Sequence, residues 1–205
     1  MGNMKQRGQS FVEFTVFLPI FLIIMTGIAE MGYYINRYLN LLDATRESAR
    51  YVASLDPTAY NPIYNWNSPY HDASVEIDCD AVQDFYAVAG CYILDLTGLS
   101  FNPDNDFDDI VVTAFQIRNG VVVKEFPQDT TLGWSMYGNQ NHRMPIESLN
   151  QQFDDLSPQQ GIVIVEVYYM HQQLLNFPLF TVFVPEGIGI HAFTFMPNAT
   201  AGTLP

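Results

Sequence analysis

Basic residues are scarce in this sequence. Its 205 residues include 8 lysines and arginines against 22 aspartates and glutamates, which gives a formal net charge of −14 at pH 7. Lys5 and Arg7 lie at the N-terminus, so the rest of the chain is more acidic still. Because nucleic-acid binding needs Lys and Arg side chains that neutralise phosphates, this composition argues against a nucleic-acid partner.

Motifs for catalysis and metal binding are also missing. The sequence contains no H-E-x-x-H pair, no G-x-S-x-G and no phosphate-binding glycine loop. Asp104, Asp106 and Asp108 alternate as at the start of an EF-hand, but Asp109 and Phe115 stand where that loop needs glycine and glutamate. We interpret these aspartates as a solvated acidic turn, and we expect no enzymatic activity, no metal and no cofactor.

The sequence has two cysteines, Cys79 and Cys91. They have neither the C-x-x-C spacing of a redox site nor the four ligands of structural zinc. Two interpretations remain: a disulfide that closes a short loop in an oxidising compartment, or two buried thiols in a reducing one. We predict the disulfide.

A long apolar segment begins near the N-terminus. Residues 11–29 contain Glu13 as their only charged residue. A helix of this length spans about 28 Å, close to the roughly 30 Å hydrocarbon core of a bilayer. A cleavable signal peptide fits less well, since no small-x-small site follows the segment. A later apolar stretch, residues 177–196, is interrupted by Pro185 and Glu186 and indicates a loop followed by a strand.

The helix is expected to continue beyond the membrane as far as Asp56-Pro57, with a bend at Pro19. Apolar and small residues recur along one helical face beyond residue 33, at spacings that predict helix packing. This stripe consists of Tyr34, Tyr38, Leu41, Thr45, Ser48, Val52 and Leu55. On the polar side, Asp43 with Arg46 and Glu47 with Arg50 are spaced to pair between neighbouring turns.

The remainder of the sequence predicts a small β-sheet domain. Asn119-Gly120 lies between β-rich runs at 110–117 and 121–126, which is a strong hairpin signal. Further strands are predicted at 161–171 and 187–196, with an edge strand at 73–79, and surface loops at 57–72 and 127–160. In residues 161–171, Val163, Val165 and Val167 are predicted to share one strand face opposite Glu166. The predicted fold class is α+β, a long transmembrane helix followed by a small antiparallel sheet.

The start of the apolar helix resembles a known processing site. In "RGQSFVEF", Gly8 precedes Glu13 and Phe14 in the arrangement of type IV prepilins. The longer segment, about residues 7–53, resembles the TadE-like family of pilin-related proteins from tight-adherence (Flp-type) pilus systems. The matching features are Gly-Gln before Val-Glu-Phe, the pair Leu18-Pro19, residues 27–30 where the apolar segment ends, and the final "ATRESARYVA".

The resemblance implies a type IV pilin-like layout and a structural role. A prepilin peptidase would cleave after Gly8, removing a leader of residues 1–8 and leaving Gln9 as the new N-terminus. Glu13, followed by Phe14, would then neutralise the terminal ammonium of a neighbouring subunit, whereas the alternative is that Glu13 lies at the headgroup level.

The resemblance also implies a domain order and a location. Residues 9–56 would form the helix, with 11–29 in the bacterial cytoplasmic membrane and 30–56 outside, followed by an extracytoplasmic domain at 57–205. Expected partners are other pilin-like subunits, the pilus assembly machinery, the prepilin peptidase and membrane lipid. The alternative function is an uncleaved, single-pass anchor that carries an extracytoplasmic binding or sensor domain.

Overall fold

The computed structural model describes residues 6–58, 79, 84–127, 133–144, 159–174 and 187–203. The chain divides into two compact units, Met1–Arg37 with His171–Ile188 and Tyr38–Met170 with Gly189–Pro205. A long N-terminal helix followed by a small antiparallel sheet confirms the predicted α+β class. The helices and strands are, in chain order, α1 Gln6–Val52, α2 Phe85–Thr97, β1 Asp109–Arg118, β2 Val121–Phe126, β3 Trp134–Ser135, β4 Gln159–His171, β5 Ile188–Pro197 and α3 Ala199–Thr203.

Helix α1 is one continuous helix of 47 residues that includes Pro19. Its last residue is Val52, earlier than the end at residue 56 that the following proline indicated. The side-chain amide of Asn198 donates hydrogen bonds to the carbonyls of Val52 (3.3 Å) and Leu55 (3.0 Å). The Val52 carbonyl also accepts from the Leu55 N–H at 2.9 Å. Asn198 therefore adds hydrogen bonds to the helix end from a distant part of the chain.

Helix α2 was not predicted. Asp84 caps its N-terminus, where the carboxylate accepts from the backbone N–H groups of Tyr86 (2.8 Å) and Ala87 (3.2 Å). Gly98 ends the helix in the left-handed conformation, with φ of 57°, and its N–H donates to the Leu94 carbonyl. These capping residues were the available sequence signal. The helix was missed because most of it is buried, so it lacks the polar face that helical periodicity requires.

The predicted hairpin is confirmed. Strands β1 and β2 pair antiparallel, with Arg118 opposite Val121 and the turn at Asn119-Gly120 between them. Both turn residues have positive φ, 52° for Asn119 and 73° for Gly120. Asparagine and glycine tolerate this conformation better than other residues, which is why the turn could be located from sequence.

The sheet has the strand order β2-β1-β4-β5, and β3 pairs with β1. Strand β1 pairs antiparallel with β4, with Val111 opposite Glu166 and Val112 opposite Val165. This register confirms that the valines of β4 and Glu166 lie on opposite faces. Both faces are covered, since Val165 is 0% and Glu166 is 1% exposed. The central strands are therefore buried on both sides.

Gly161 allows close packing between β4 and the C-terminal segment. A Cβ atom at this position would lie 2.1 Å from the Asn198 carbonyl oxygen and 2.4 Å from the Gly202 nitrogen. The Asn198 N–H donates to the Gly161 carbonyl at 2.7 Å. Because the neighbours are backbone atoms, no larger residue fits here without moving α3.

The surface loop predicted at 127–160 is wrong for residues 133–136. Trp134, Ser135 and Met136 are only 2–4% exposed. The Met136 N–H donates to the Ile110 carbonyl at 2.9 Å, so this segment lies directly beside β1. Its Asn- and Gly-rich composition resembles a loop, but pairing with β1 buries it. Most of the loop predicted at 57–72, and the edge strand at 73–79 except for Cys79, lie outside the described residues.

A disulfide joins Cys79 to Cys91 on α2, as predicted, with a Cα–Cα distance of 5.5 Å. Replacing both cysteines with alanine is expected to lower the free energy of unfolding by about 2 to 3 kcal/mol, since a short closed loop restricts the unfolded chain. Chemical denaturation of the full chain in detergent measures the loss. Thiol labelling of denatured, unreduced protein is the control, and two reactive thiols per chain would contradict the bond.

Candidate functional site: the N-terminal helix

The N-terminal part of α1 presents its apolar side chains outward. Every large apolar side chain from Phe11 to Ile28 is exposed, from 36% for Ile23 to 73% for Phe11. Burying apolar surface away from water stabilises a protein by about 25 cal/mol per Å², so leaving this surface in water loses that free energy. This part of the helix therefore requires lipid or protein around it. In the part of the chain that the structure describes, one helix is long and apolar enough to cross a membrane, by length and composition.

The hydroxyl groups within this apolar part are satisfied by the helix itself. Thr15 Oγ1 donates to the Phe11 carbonyl at 2.8 Å, and Thr26 Oγ1 donates to the Leu22 carbonyl at 2.6 Å. A hydroxyl bonded within its own helix can face hydrocarbon at low cost. The bend expected at Pro19 remains a prediction.

The predicted processing and assembly residues lie at the beginning of α1. Gly8 and Gln9 have helical backbone. Glu13 and Phe14 are exposed, Phe14 by 62%, on the same apolar surface. The Glu13 carboxylate is therefore outside the buried core of the chain, at a level where its neighbours are apolar.

The predicted packing stripe divides into two parts. Ser48 Oγ donates to the Ala89 carbonyl of α2 at 2.9 Å, so the C-terminal part packs within the chain's own fold. Tyr38 is 38% exposed and Tyr34 is half-buried. Four residues of the stripe are 0% exposed, namely Leu41, Thr45, Ser48 and Val52.

The opposite side of this part of α1 is charged and exposed. The two predicted pairs are present, with Arg46 Nη1 3.7 Å from Asp43 and Arg50 Nη1 3.2 Å from Glu47. Pairs in water at this spacing stabilise a helix by about 0.3 to 0.5 kcal/mol each. They mark the solvent-facing side of the helix.

Residues 8–50 match the family model described as TadE-like protein. This segment of the chain is similar to the TadE-like family. The match confirms the resemblance found in the sequence over this segment. It covers nearly all of α1 and ends before α2 and the sheet. No curated protein and no solved structure matches the chain.

Beyond its apolar part, the TadE-like helix carries a cluster that sequence analysis missed. Arg37 Nη2 donates to the Tyr33 hydroxyl at 2.6 Å, and the guanidinium carbon lies 5.0 Å from the centre of that ring. The ring centroid of His171, at the end of β4, lies 5.3 Å from that of Tyr33 and 5.5 Å from that of Tyr34. Burial lowers the pKa of His171, while Glu30 raises it and Arg37 lowers it further. The adjacent tyrosines after the apolar run were the only signal in the sequence.

The sheet unit contains a second polar cluster around Glu166. The carboxylate accepts hydrogen bonds from the Arg143 N–H at 3.1 Å and the Tyr168 hydroxyl at 3.2 Å. His191 Nε2 lies 3.0 Å from Glu166 Oε1, and its ring stacks on Tyr168 with centroids 4.5 Å apart. Burial and the nearby Glu166 charge raise the pKa of the Tyr168 hydroxyl. We interpret these contacts as an anchor that holds the Arg143 segment on the sheet.

The acidic turn at 104–108 is only partly solvated. Asp104 and Asp106 are exposed, as expected, but Asp108 is 3% exposed. Its carboxylate accepts from the N–H groups of Asn102 at 3.0 Å and Met170 at 2.5 Å, so the prediction is wrong for this residue. Among the described residues, no group of three or more His, Cys, Asp or Glu side chains could hold a metal ion.

Proposed function

We propose that this chain is a pilin-like structural or assembly subunit, in particular a minor pilin, of a tight-adherence-type pilus. The TadE-like match over residues 8–50 is the observation that carries the proposal. An apolar helix exposed over its whole first half supports it, because such a surface is suited first to lipid and then to neighbouring helices. The role is non-enzymatic.

The proposed location is the bacterial cytoplasmic membrane, with residues 11–29 spanning it once. The disulfide between Cys79 and Cys91 supports an extracytoplasmic position for the sheet, since disulfides persist in oxidising compartments. The acidic character of the chain, with its net charge of −14, is compatible with a domain that stays in water.

Glu13 has a specific part in this proposal. Its side chain is exposed on the apolar part of α1, and placing a carboxylate in hydrocarbon is costly. The ammonium of a processed N-terminus at Gln9 of a neighbouring subunit would neutralise it. Two charges that are each expensive in an apolar core become tolerable as a pair.

Processing is the step that tests this proposal directly. Replacing Gly8 with leucine is expected to leave residues 1–8 attached in cells that contain the prepilin peptidase, because a bulky side chain would block the cleavage position. Intact-mass measurement of protein purified from native membranes reports whether the leader is present. Gly2→Leu is the matched control, since it changes a glycine within the leader and should be cleaved normally.

The outcome distinguishes the two functions. Wild-type protein that still starts at Met1 in cells with active peptidase would reject the processed pilin-like subunit. It would favour the uncleaved membrane anchor with an extracytoplasmic binding or sensor domain. Wild-type protein starting at Gln9 would support the pilin-like role.

A further inference from the structure

The cluster beyond the apolar part of α1 joins two distant segments of the chain. We call it the exit collar, defined as Glu30, Tyr33, Tyr34, Arg37, His171 and Leu174. Besides the aromatic contacts of His171, the Leu174 N–H donates to Glu30 Oε2 at 3.2 Å. His171 and Leu174 are therefore attached to α1 within two turns of the apolar part.

The exit collar combines buried aromatic packing with exposed apolar surface. His171 is 3% exposed between the tyrosines, whereas Leu174 is 60% exposed. On α1, Met31 is 60% and Ile35 is 45% exposed. Exposed apolar side chains thus occur both in residues 11–29 and on the collar beyond Glu30, and none of the described residues covers them.

The composition of the exit collar suits the lipid–water boundary. Tyrosines have an apolar ring and a polar hydroxyl, and they are enriched where hydrocarbon meets headgroups. Arg37 extends along the helix over Tyr33. A guanidinium on a long side chain can interact with lipid phosphates while its stem stays on apolar surface. From Glu30 to Arg37 a helix rises about 10 Å, comparable with the depth of an interfacial layer.

Lipid fits this surface better than a protein partner does. The collar contains one acidic and one basic charged group, so it offers no net charge to attract a partner protein. After Leu174 the sequence stays apolar, since eight of the eleven residues 174–184 are apolar and none is charged. Because these apolar side chains lie next to the proposed membrane span, we take lipid as the partner that covers them.

We propose that the exit collar lies in the headgroup layer and that Leu174 contacts lipid. The chain then meets the bilayer at two places, through α1 and through the end of β4. The Glu30–Leu174 hydrogen bond holds the lipid-contacting end of β4 against α1. The proposal rests on the membrane anchor proposed above and adds a lipid-contacting surface to it.

Site-directed spin labelling of the full chain in phosphatidylcholine nanodiscs tests the proposal. Because both native cysteines are in the disulfide, a single introduced cysteine can be labelled without reduction. Labels are placed by Leu174→Cys, by Ile24→Cys within the span, and by Asp104→Cys in the exposed turn. For each spin label, collision with oxygen, which concentrates in lipid, is compared with collision with a water-soluble nickel complex.

We expect the label at position 174 to collide with nickel much less often than the label at position 104. It should still collide with oxygen, at a frequency between those of the labels at positions 24 and 104. Adding Glu30→Ala should restore nickel collisions at position 174. The matched control, Asp43→Ala on the exposed side of the same helix, should leave them unchanged.

The contrary outcomes separate the two proposals. Nickel collisions at position 174 equal to those at position 104, with position 24 still in lipid, would overturn the lipid contact and leave the membrane anchor standing. Shielding of position 174 from both reagents would indicate a protein cover and would also overturn it. A water-accessible label at position 24 would reject the membrane anchor itself.

Discussion

Replacing Glu13 with glutamine is expected to remove the chain from assembled complexes while its amount in the membrane stays the same. Glu13 is exposed on the apolar part of α1, so replacing it removes no buried side chain. Removing a charge from this segment should make insertion slightly easier. In an assembly, however, the ammonium of a neighbouring subunit would lose its partner in an apolar core, which typically costs about 3 to 5 kcal/mol.

The measurement compares membrane fractions with sheared-filament or crosslinked-complex fractions for wild type and variant. Asp43→Asn is the matched control, because Asp43 is an acid on the same helix whose side chain is 78% exposed and distant in sequence from Gln9. Equal recovery of Glu13→Gln in both fractions would favour a headgroup-level position for Glu13. Loss from the membrane fraction would show that Glu13 acts in insertion.

The largest effect on stability is expected at Asp109, which is 0% exposed. Its Oδ2 accepts from Ser135 Oγ at 2.6 Å, the Asn139 N–H at 2.9 Å and the Gln140 N–H at 2.6 Å. Its Oδ1 accepts from the Tyr137 N–H at 3.0 Å. Asp109→Ala leaves these donors without an acceptor, so we expect a loss of about 3 to 5 kcal/mol in the free energy of unfolding.

Chemical denaturation of the full chain in detergent measures this loss. Asp106→Ala is the control, since Asp106 is an exposed acid in the turn just before Asp109, and it should change stability by less than about 0.5 kcal/mol. Asp109→Asn should remain destabilising, because both oxygens of Asp109 accept and an amide would present one NH₂ group to donors. Equal stability of Asp109→Ala and Asp106→Ala would contradict a stabilising role of the hydrogen bonds to Asp109.

Elements specified by local chemistry were predictable from sequence. The apolar run and the polar pairs of α1 lie at helical spacing, so the helix and its charged side followed from periodicity. Asn119-Gly120 specified the hairpin because few residue types tolerate positive φ at both positions. The alternation around Glu166 located β4 and the faces of its side chains.

The candidate site was predictable only in its N-terminal part. The resemblance around Gly8 and Glu13 matched the TadE-like segment, because that motif is contiguous in sequence. The exit collar was not predicted, since His171 and Leu174 reach Tyr33 and Glu30 only after the chain folds. Whether Gly8 is a processing site and whether Glu13 pairs with a neighbour remain predictions.

The sequence by itself thus determined the apolar helix, its TadE-like start, the hairpin turn and the acidic character of the chain. Each of these depends on residues that are neighbours along the chain, so local sterics and hydropathy are sufficient. Tertiary structure alone decided that α2 is a helix, that Asn198 stabilises the end of α1, and that Asp108, Asp109 and Glu166 are buried acceptors. Burial of a polar group depends on donors supplied from distant segments, and the free-energy cost of leaving those donors unpaired is what fixes its place in the fold.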